Sequence, residues 1–254
     1  ARIIDGKTES KPQDILIREG RIAAIAPNIP VEAGMEVWTS PHLCVSPGWI
    51  DVGVQTGDPG FEHRENLQTV AQAAAKGGFT AIAPFPNTNP AIHSKSEILY
   101  IKNNTAHTGV HFYPIGAISQ ECAGKDLAEL YDMHTAGAVA FSDGKKAVQD
   151  AGLLLRAMQY VRAFNGLVIN EPHHKTIAGA GQMHEGAIST SLGLKGLAAL
   201  AEEMMIQRDL SLLEYAEGRL HIHLVSTAKS VALIRAAKKA GLSVTCSVAV
   251  VNLF

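Results

Sequence analysis

Apolar positions along the chain follow two alternating spacings. Short apolar runs, typical of buried strands, are separated by stretches in which apolar residues recur every three or four positions, as in amphipathic helices. The predicted strands span 45–55, 79–85, 110–118, 138–142, 167–171, 220–226 and 243–250. The predicted helices span 64–76, 94–104, 147–164, 195–217 and 228–240. Repeated strand–helix units of this length predict an α/β fold in which a parallel sheet forms a (β/α) barrel.

The helix predicted over 228–240 has the clearest boundaries. Thr227 can cap its first turn and Gly241 can close its last one. Gly77 and Gly78 are likewise expected to end the first helix before a strand, and not to bind phosphate.

The first 46 residues differ in character from the rest. Residues 14–25 predict two short strands around a Glu19-Gly20 turn. A piece this small has little core of its own, so we expect a small β subdomain over 1–46 that packs on a barrel domain over 47–254. Seven barrel strands can be counted, and an eighth would be expected just past residue 254, which predicts an incomplete barrel.

The stretch 173–194 is rich in Gly, His, Ser and Thr and predicts the longest loop. It follows the fifth predicted strand, at the end of a barrel where sites are built. A lid, an interface loop and a merely mobile loop are all compatible with that position.

Composition excludes some function classes. Hydrophobic residues make up 46% and charged residues 18% of the chain, which is typical of a globular protein. The net charge is -2, so there is no electrostatic case for nucleic acid or an anionic membrane as a partner. No apolar run reaches the roughly 18 residues that span a bilayer. The three cysteines are far apart and odd in number, which predicts neither disulfides nor a cysteine metal site and makes a cytoplasmic location the expectation.

Several motifs occur in order along the chain. They are Pro47-Gly48-Trp49-Ile50-Asp51, Gly77-Gly78-Phe79-Thr80, Phe85-Pro86-Asn87-Thr88-Asn89-Pro90, Phe141-Ser142-Asp143, Gly181-Gln182-Met183-His184-Glu185-Gly186 and Val225-Ser226-Thr227. Together they resemble the dihydroorotases, and more loosely the allantoinases and hydantoinases. The resemblance implies a TIM-like barrel of the metal-dependent hydrolase type and a place in pyrimidine biosynthesis.

The resemblance also implies metal-binding histidines at positions where this chain has other residues. Gly53 and Gln55 stand in place of the two histidines of the first strand, and Glu171 and Leu224 in place of two later ones. Gly57 replaces a substrate-binding arginine, while Asn87 and Asp143 are kept. Gly144 replaces the second aspartate of a pair that begins with Asp143.

Zinc needs at least three nitrogen, oxygen or sulfur side-chain ligands, and glycine and leucine supply none. We therefore expect no cofactor and a remnant pocket only. Its expected members are Asp51, Gln55, Asn87, Asp143 and Glu171. The alternative is a rebuilt zinc site, for which the candidate ligands are Asp143, Glu171, His173, His174 and His184.

Other polar residues favour structural roles. His221 and His223 alternate on one strand face, but the inward ligand of the resembling family aligns with Leu224, so both are expected to face the helices. Arg208 and Asp209 predict a structural ion pair. Asn87 is also explained by ordinary turn chemistry, and Asp143 by a polar strand-to-helix turn.

Three hypotheses follow. The first is a catalytically silent dihydroorotase homologue that associates with aspartate transcarbamoylase or with itself, which the resemblance implies. The second is an active cyclic-amide hydrolase with the rebuilt zinc site. The third is that the 254 residues are part of a longer polypeptide, because the expected eighth strand is missing.

Overall fold

The structure is a computed structural model that describes residues 1–6 and 10–253. Contacts divide the chain into two compact units, one from Ala1 to Trp49 and the other beginning at Ile50. The predicted domain boundary at 46/47 therefore lies three residues before the observed one. Phe254, the last residue of the predicted barrel domain, lies outside the described residues.

The first unit contains short strands. They are β1 (Arg2–Ile3), β2 (Asp14–Arg18), β3 (Arg21–Ala26) and β4 (Cys44–Val45). β2 and β3 form the predicted antiparallel hairpin, and its turn residues Glu19 and Gly20 both have positive φ angles, 52° and 71°. Two positive φ angles are required by the turn that best matches the twist of paired strands.

The second unit alternates strands with helices. Its strands are β5 (Trp49–Val54), β6 (Phe79–Pro84), β7 (His111–Phe112), β8 (Ile115–Gly116), β9 (Ala140–Phe141), β10 (Val168–Asn170), β11 (Met183–His184), β12 (Gly196–Leu197), β13 (Leu220–Ile222) and β14 (Val244–Cys246). Its α-helices are α1 (Leu67–Lys76), α2 (Lys95–Thr105), α3 (Leu130–Ala136), α4 (Ala151–Arg162), α5 (Lys175–Ala178), α6 (Ala187–Ser191), α7 (Leu200–Ala216) and α8 (Ala228–Lys239). Short 3-10 helices lie at Gln120–Cys122 and Val250–Leu253.

The main strands are hydrogen-bonded in chain order. One sheet has the order β5-β6-β7, and the other has the order β8-β9-β10-β13-β14. The strand pairs whose register is defined are parallel. β7 and β8 are consecutive pieces of the strand predicted over 110–118. Within the described residues, all seven predicted strand positions therefore contain a strand, in the sequential order of a (β/α) barrel.

The helix boundaries follow local capping. The Thr227 side chain accepts a hydrogen bond from the Ser230 N–H at the start of α8, and Gly241, with φ 88°, follows its end, as predicted. Gly77 and Gly78 end α1, also as predicted. Among the described residues, no helix is both long and apolar enough to cross a membrane.

Several elements depart from the sequence expectation, and β12 lies where the helix over 195–217 was predicted to begin, so that α7 starts at Leu200. α3 was not predicted; its seven residues form too short a pattern to stand out. The stretch 173–194 is not one continuous loop, because it contains α5, β11 and α6. β11 pairs with β12, which gives the glycine-rich segment backbone partners that its composition does not reveal.

The buried side chains form two layers on either side of the barrel strands. The larger cluster lies between strands and helices and includes Ile82, Phe141, Val168, Leu220 and Ile222. The smaller cluster lies on the opposite strand face and consists of Ala83, Phe85, Ile115, Ala140 and Ile169. Because successive side chains of a strand point to opposite faces, membership of these clusters identifies which residues face the inside of the barrel.

Candidate functional site

His221 and His223 face the inside of the barrel, so the prediction that they face the helices is wrong. The neighbouring Leu220 and Ile222 are fully buried in the helix-side cluster, and alternation turns the two histidines the other way. The His223 ring packs edge-on against Phe85 of the inner cluster, with 5.1 Å between ring centroids. The direction of the two histidines could have been predicted from the apolar residues of β13, whereas the alignment of the family's ligand with Leu224 gave the wrong direction.

Leu224 does not continue the strand alternation. Its φ angle is 58°, in the left-handed region, and its side chain is exposed. β13 ends two residues earlier, at Ile222. The backbone after Ile222 therefore turns, and the position of the family's ligand holds an exposed leucine.

Gly53 fits only as glycine. Its φ angle is 92°, and a Cβ atom at this position would lie 2.8 Å from the Phe85 ring and 3.0 Å from the His223 ring. Those distances are too short for any side chain, and the backbone conformation disfavours every residue except glycine. The His223 ring thus occupies the space in which a first-strand histidine would begin.

Position 57 is closed in the same way. Gly57 has a φ angle of 68°, and a Cβ atom there would lie 2.6 Å from the carbonyl oxygen of Glu65. Since that oxygen belongs to the backbone, it cannot move aside as a flexible side chain can. An arginine at position 57 would require a different local backbone.

Asp51 and Gln55 are exposed and line a cavity of about 240 Å³ formed with the first helix. Its other lining residues include Val70 and Ala73 of α1 and Ile82 of β6. Asn87, Asp143 and Glu171 do not line this cavity. The five residues of the predicted remnant pocket are therefore not gathered around this one space.

Asn87 and Asp143 do come together, but through the backbone. The Asn87 Nδ2 donates to the carbonyl oxygen of Asp143 at 2.9 Å, and its Oδ1 accepts from the Lys145 N–H at 2.9 Å. A Cβ atom on Gly144 would lie 1.9 Å from that Oδ1. Both ends of the Asn87 amide therefore hold the loop after β9, and this arrangement needs glycine at 144.

The Asp143 carboxylate is buried and held by Ser119. Its Oδ1 accepts the Ser119 N–H at 2.9 Å, and its Oδ2 accepts the Ser119 hydroxyl at 2.5 Å. Burial raises the pKa of Asp143, while these hydrogen bonds and Lys146 act in the opposite direction. Ser119 has no motif around it that could have revealed this role.

The other candidate ligands lie in separate surroundings. Glu171 is half-buried, and its burial raises the pKa of its carboxyl group against the effect of Lys145. The His174 Nδ1 lies 3.2 Å from the Thr176 hydroxyl, and His184 is exposed on β11. The backbone carbonyl of His173 accepts a hydrogen bond from Gln149.

These side chains do not fit the zinc that the fold implies. Across residues 1–6 and 10–253, no three His, Cys, Asp or Glu side chains come close enough together to hold a metal ion. Zinc in a catalytic site needs three protein ligands and an open position. The set Asp143, Glu171, His173, His174 and His184 is therefore not assembled in this conformation.

A buried polar cluster supports the end of β10 from behind. The Asn170 amide donates to Asp209 at 2.7 Å, and Arg208 forms the predicted ion pair with Asp209 at 2.7 Å. Arg208 also donates to the carbonyl oxygens of Val148 and Gln149. Since every charged group has a partner, this cluster anchors the segment before α4 and has a structural role.

Comparison with known proteins places the chain in a family. A family model described as Dihydro-orotase-like matches residues 43–230. Proteins named dihydroorotase from Pelotomaculum thermopropionicum and Acetivibrio thermocellus are 46% and 42% identical over 246 residues each, which is 97% and 96% of this chain. The chain spans 57% and 58% of those two proteins.

Solved structures show the fold. An L-hydantoinase (dihydropyrimidinase) from Arthrobacter aurescens matches with a TM-score of 0.74 and 24% identity, over 97% of this chain and 56% of that one. A D-hydantoinase (dihydropyrimidinase) from Thermus sp. matches with a TM-score of 0.72 and 17% identity, over 100% and 57%. The chain therefore has the TIM-barrel fold of these hydantoinases, and it belongs to the dihydro-orotase-like family.

Proposed function

We propose that this chain is a dihydroorotase homologue of pyrimidine biosynthesis that is silent in ring-amide hydrolysis and acts as a structural partner of aspartate transcarbamoylase. The proposal includes a cytoplasmic location. The family membership and the relatives named dihydroorotase support the pathway.

The observation that carries the proposal is the contact between Gly53 and His223. Hydrolysis of a ring amide in this family depends on a metal that lowers the pKa of a bound water to about 7. The first strand cannot hold that metal through position 53, because the His223 ring fills the space and the backbone φ angle is 92°. The described residues offer no other set of three ligands.

Substrate recognition is weakened by separate changes. The Asn87 amide is fully used by the loop after β9, and the backbone of Glu65 closes the space beside Gly57. A ligand carboxylate would therefore have to displace existing hydrogen bonds without an arginine to attract it. These changes act on binding, independently of the metal.

Exposed apolar side chains support association with a partner or with a second copy. Ile50 and Val52 are exposed on β5, which lies at the edge of its sheet. Exposed apolar residues that cluster along strand edges are typical of surfaces that other chains cover.

The alternative is an active cyclic-amide hydrolase in which ligand loops rearrange around zinc. Its support is the identity of 46% to a protein named dihydroorotase, together with the half-buried Glu171. Zinc would then have to bring Glu171 and Asp143 together with histidines that lie apart in this conformation.

The experiment is a zinc titration of the purified chain, followed by turnover of dihydroorotate with zinc present. The proposal predicts less than one tightly bound ion per chain and a rate equal to that of the D143A/E171A variant. Stoichiometric zinc together with a rate above that variant would establish the alternative. Co-purification with aspartate transcarbamoylase tests the partner, and a chain that never associates with it would contradict the structural role.

A further inference from the structure

A polar cluster outside the family's metal positions lies between β13 and β14. The Ser247 Oγ is 3.2 Å from the His221 Nε2 and 3.2 Å from the His223 Nδ1, and it accepts the Leu224 N–H at 3.1 Å. The His221 Nδ1 lies 2.8 Å from the Thr245 hydroxyl. Parallel pairing of His221 with Thr245 produces this arrangement.

The protons of this cluster can be counted. Burial lowers the pKa of both imidazoles, that of His221 to about 4, so both rings are neutral at pH 7 and each carries one N–H. A serine hydroxyl has one proton and two acceptor positions, and the Leu224 N–H uses one of those positions. Consequently, one ring donates to the Ser247 Oγ and the other ring accepts its proton.

The cluster therefore combines a serine hydroxyl with a base that can accept its proton and with donors to the same oxygen. One imidazole can remove the hydroxyl proton, and the other imidazole and the Leu224 N–H can stabilise the resulting oxygen charge. Thr245 fixes the orientation of the His221 ring. Ser247 is half-buried beside the exposed Thr245 and Leu224, so a small molecule can approach it.

We propose that Ser247 is a nucleophile that accepts acyl groups from small activated esters such as aryl acetates. The Ser247 Oγ attacks the ester carbonyl, and its proton moves to the accepting imidazole. The C–O bond to the aryloxide breaks, and the imidazolium proton leaves with it. Water then hydrolyses the acyl-serine, so one ester and one water give one acid and one phenol.

The contacts around Ser247 set the substrate class, because they are made to its own Oγ or orient the His221 ring. None of them is directed at a substrate carbonyl, so only a good leaving group departs readily from the intermediate. Amides, including the cyclic amides of the family reaction, have poor leaving groups and are excluded. The proposal needs no metal ion and no ring-amide substrate, although it uses the backbone N–H of Leu224 and the His223 ring, so its test is separate from the zinc and dihydroorotate assays.

The test is incubation of the full chain with 4-nitrophenyl acetate, with nitrophenolate release measured by absorbance and acetylated peptides mapped by mass spectrometry. The expected result is a burst of one nitrophenolate per chain and acetylation at Ser247. The S247A variant should lose the burst, and H221Q and H223Q should each slow it at least tenfold. S243A, which changes an exposed serine outside the cluster, should leave it unchanged.

Mapping of the unmodified chain keeps the test decisive even if a variant fails to fold. Acetyl groups spread over lysines or found on Cys246, with none at Ser247, would overturn the proposal. A folded S247A variant with the same burst as the unmodified chain would overturn it as well. Circular dichroism establishes which variants are folded.

Discussion

The contact between Gly53 and His223 predicts a large loss of stability in the G53A variant. The added Cβ would lie 2.8 Å from the Phe85 ring and 3.0 Å from the His223 ring. Both rings are buried and pack against each other, so neither can move aside without a rearrangement of its neighbours. The left-handed backbone at φ 92° adds a second penalty.

Gly78 provides a matched control for separating these two effects. Its φ angle is 83°, close to that of Gly53, but a Cβ atom there would have no neighbour within 4 Å. A non-glycine residue in the left-handed region costs about 1–2 kcal/mol, which is the whole effect expected for G78A. Overpacking adds about 1–3 kcal/mol, so G53A should lose about 2–5 kcal/mol.

The assay is urea unfolding of both variants and of the unmodified chain, followed by circular dichroism. G53A should unfold at a clearly lower urea concentration than G78A, with a difference of about 1–3 kcal/mol in the free energy of unfolding. The same chain with G53H should bind zinc no better than the unmodified chain. Equal midpoints for G53A and G78A would refute the reasoning, because the packing contribution would then be absent.

Three further predictions concern groups outside that contact. Burial raises the pKa of Asp143, so the stability of the unmodified chain relative to D143N should be greatest below the usual aspartate pKa of about 3.9 and should fall as pH rises through the raised value. Urea unfolding between about pH 3 and 8 measures this difference, and the opposite slope would contradict the prediction. E202A should lower the free energy of unfolding by about 1–2 kcal/mol, because Glu202 accepts hydrogen bonds from the Ser226 and Thr227 N–H groups at the start of α8. E203A removes a partly exposed ion pair and should lower it by less than about 1 kcal/mol. Equal losses for the two variants in urea unfolding would be incompatible with this capping role. T227A should lose about 1 kcal/mol in the same assay, since its hydroxyl caps the Ser230 N–H, and an unchanged midpoint would show that the cap adds nothing.

The strand order could be predicted from the sequence because its physical basis is local. Apolar runs alternating with helical spacings leave few arrangements besides a parallel sheet, and short connections place consecutive strands side by side. The Glu19-Gly20 turn was equally predictable, since glycine tolerates the positive φ that such a turn needs. Capping by Thr227 belongs to the same class of local effect.

The side-chain arrangement of the site was less predictable. The strand face on which His221 and His223 lie was predicted from the position of a family ligand. It is determined by the apolar Leu220 and Ile222, which are buried on the opposite face. The contacts of Ser247 with both histidines depend on the pairing register of β13 with β14. The paired residues of these strands, such as His221 and Thr245, are 24 positions apart, and such a register is a tertiary property that no local pattern encodes.

The hydrogen bonds between Asn87 and the loop after β9 could not be predicted from the sequence either. Asn87 and Lys145 are 58 positions apart, and their hydrogen bond depends on the backbone of Gly144 having a φ angle of 60°. The sequence offered turn chemistry and substrate binding as explanations for Asn87, and the structure has a third role. Such long-range hydrogen bonds follow from packing.

The contact between positions 53 and 223 also restricts the order in which mutations can accumulate. A histidine at 53 is incompatible with the present histidine ring at 223, so a reversion at 53 alone would meet a steric barrier. Even an intermediate with a shorter side chain at 223, which leaves a cavity beside Phe85, keeps the Phe85 contact and the positive φ angle at position 53. That intermediate is destabilised by about 2–5 kcal/mol, so a lineage needs spare stability before it can recover a first-strand histidine.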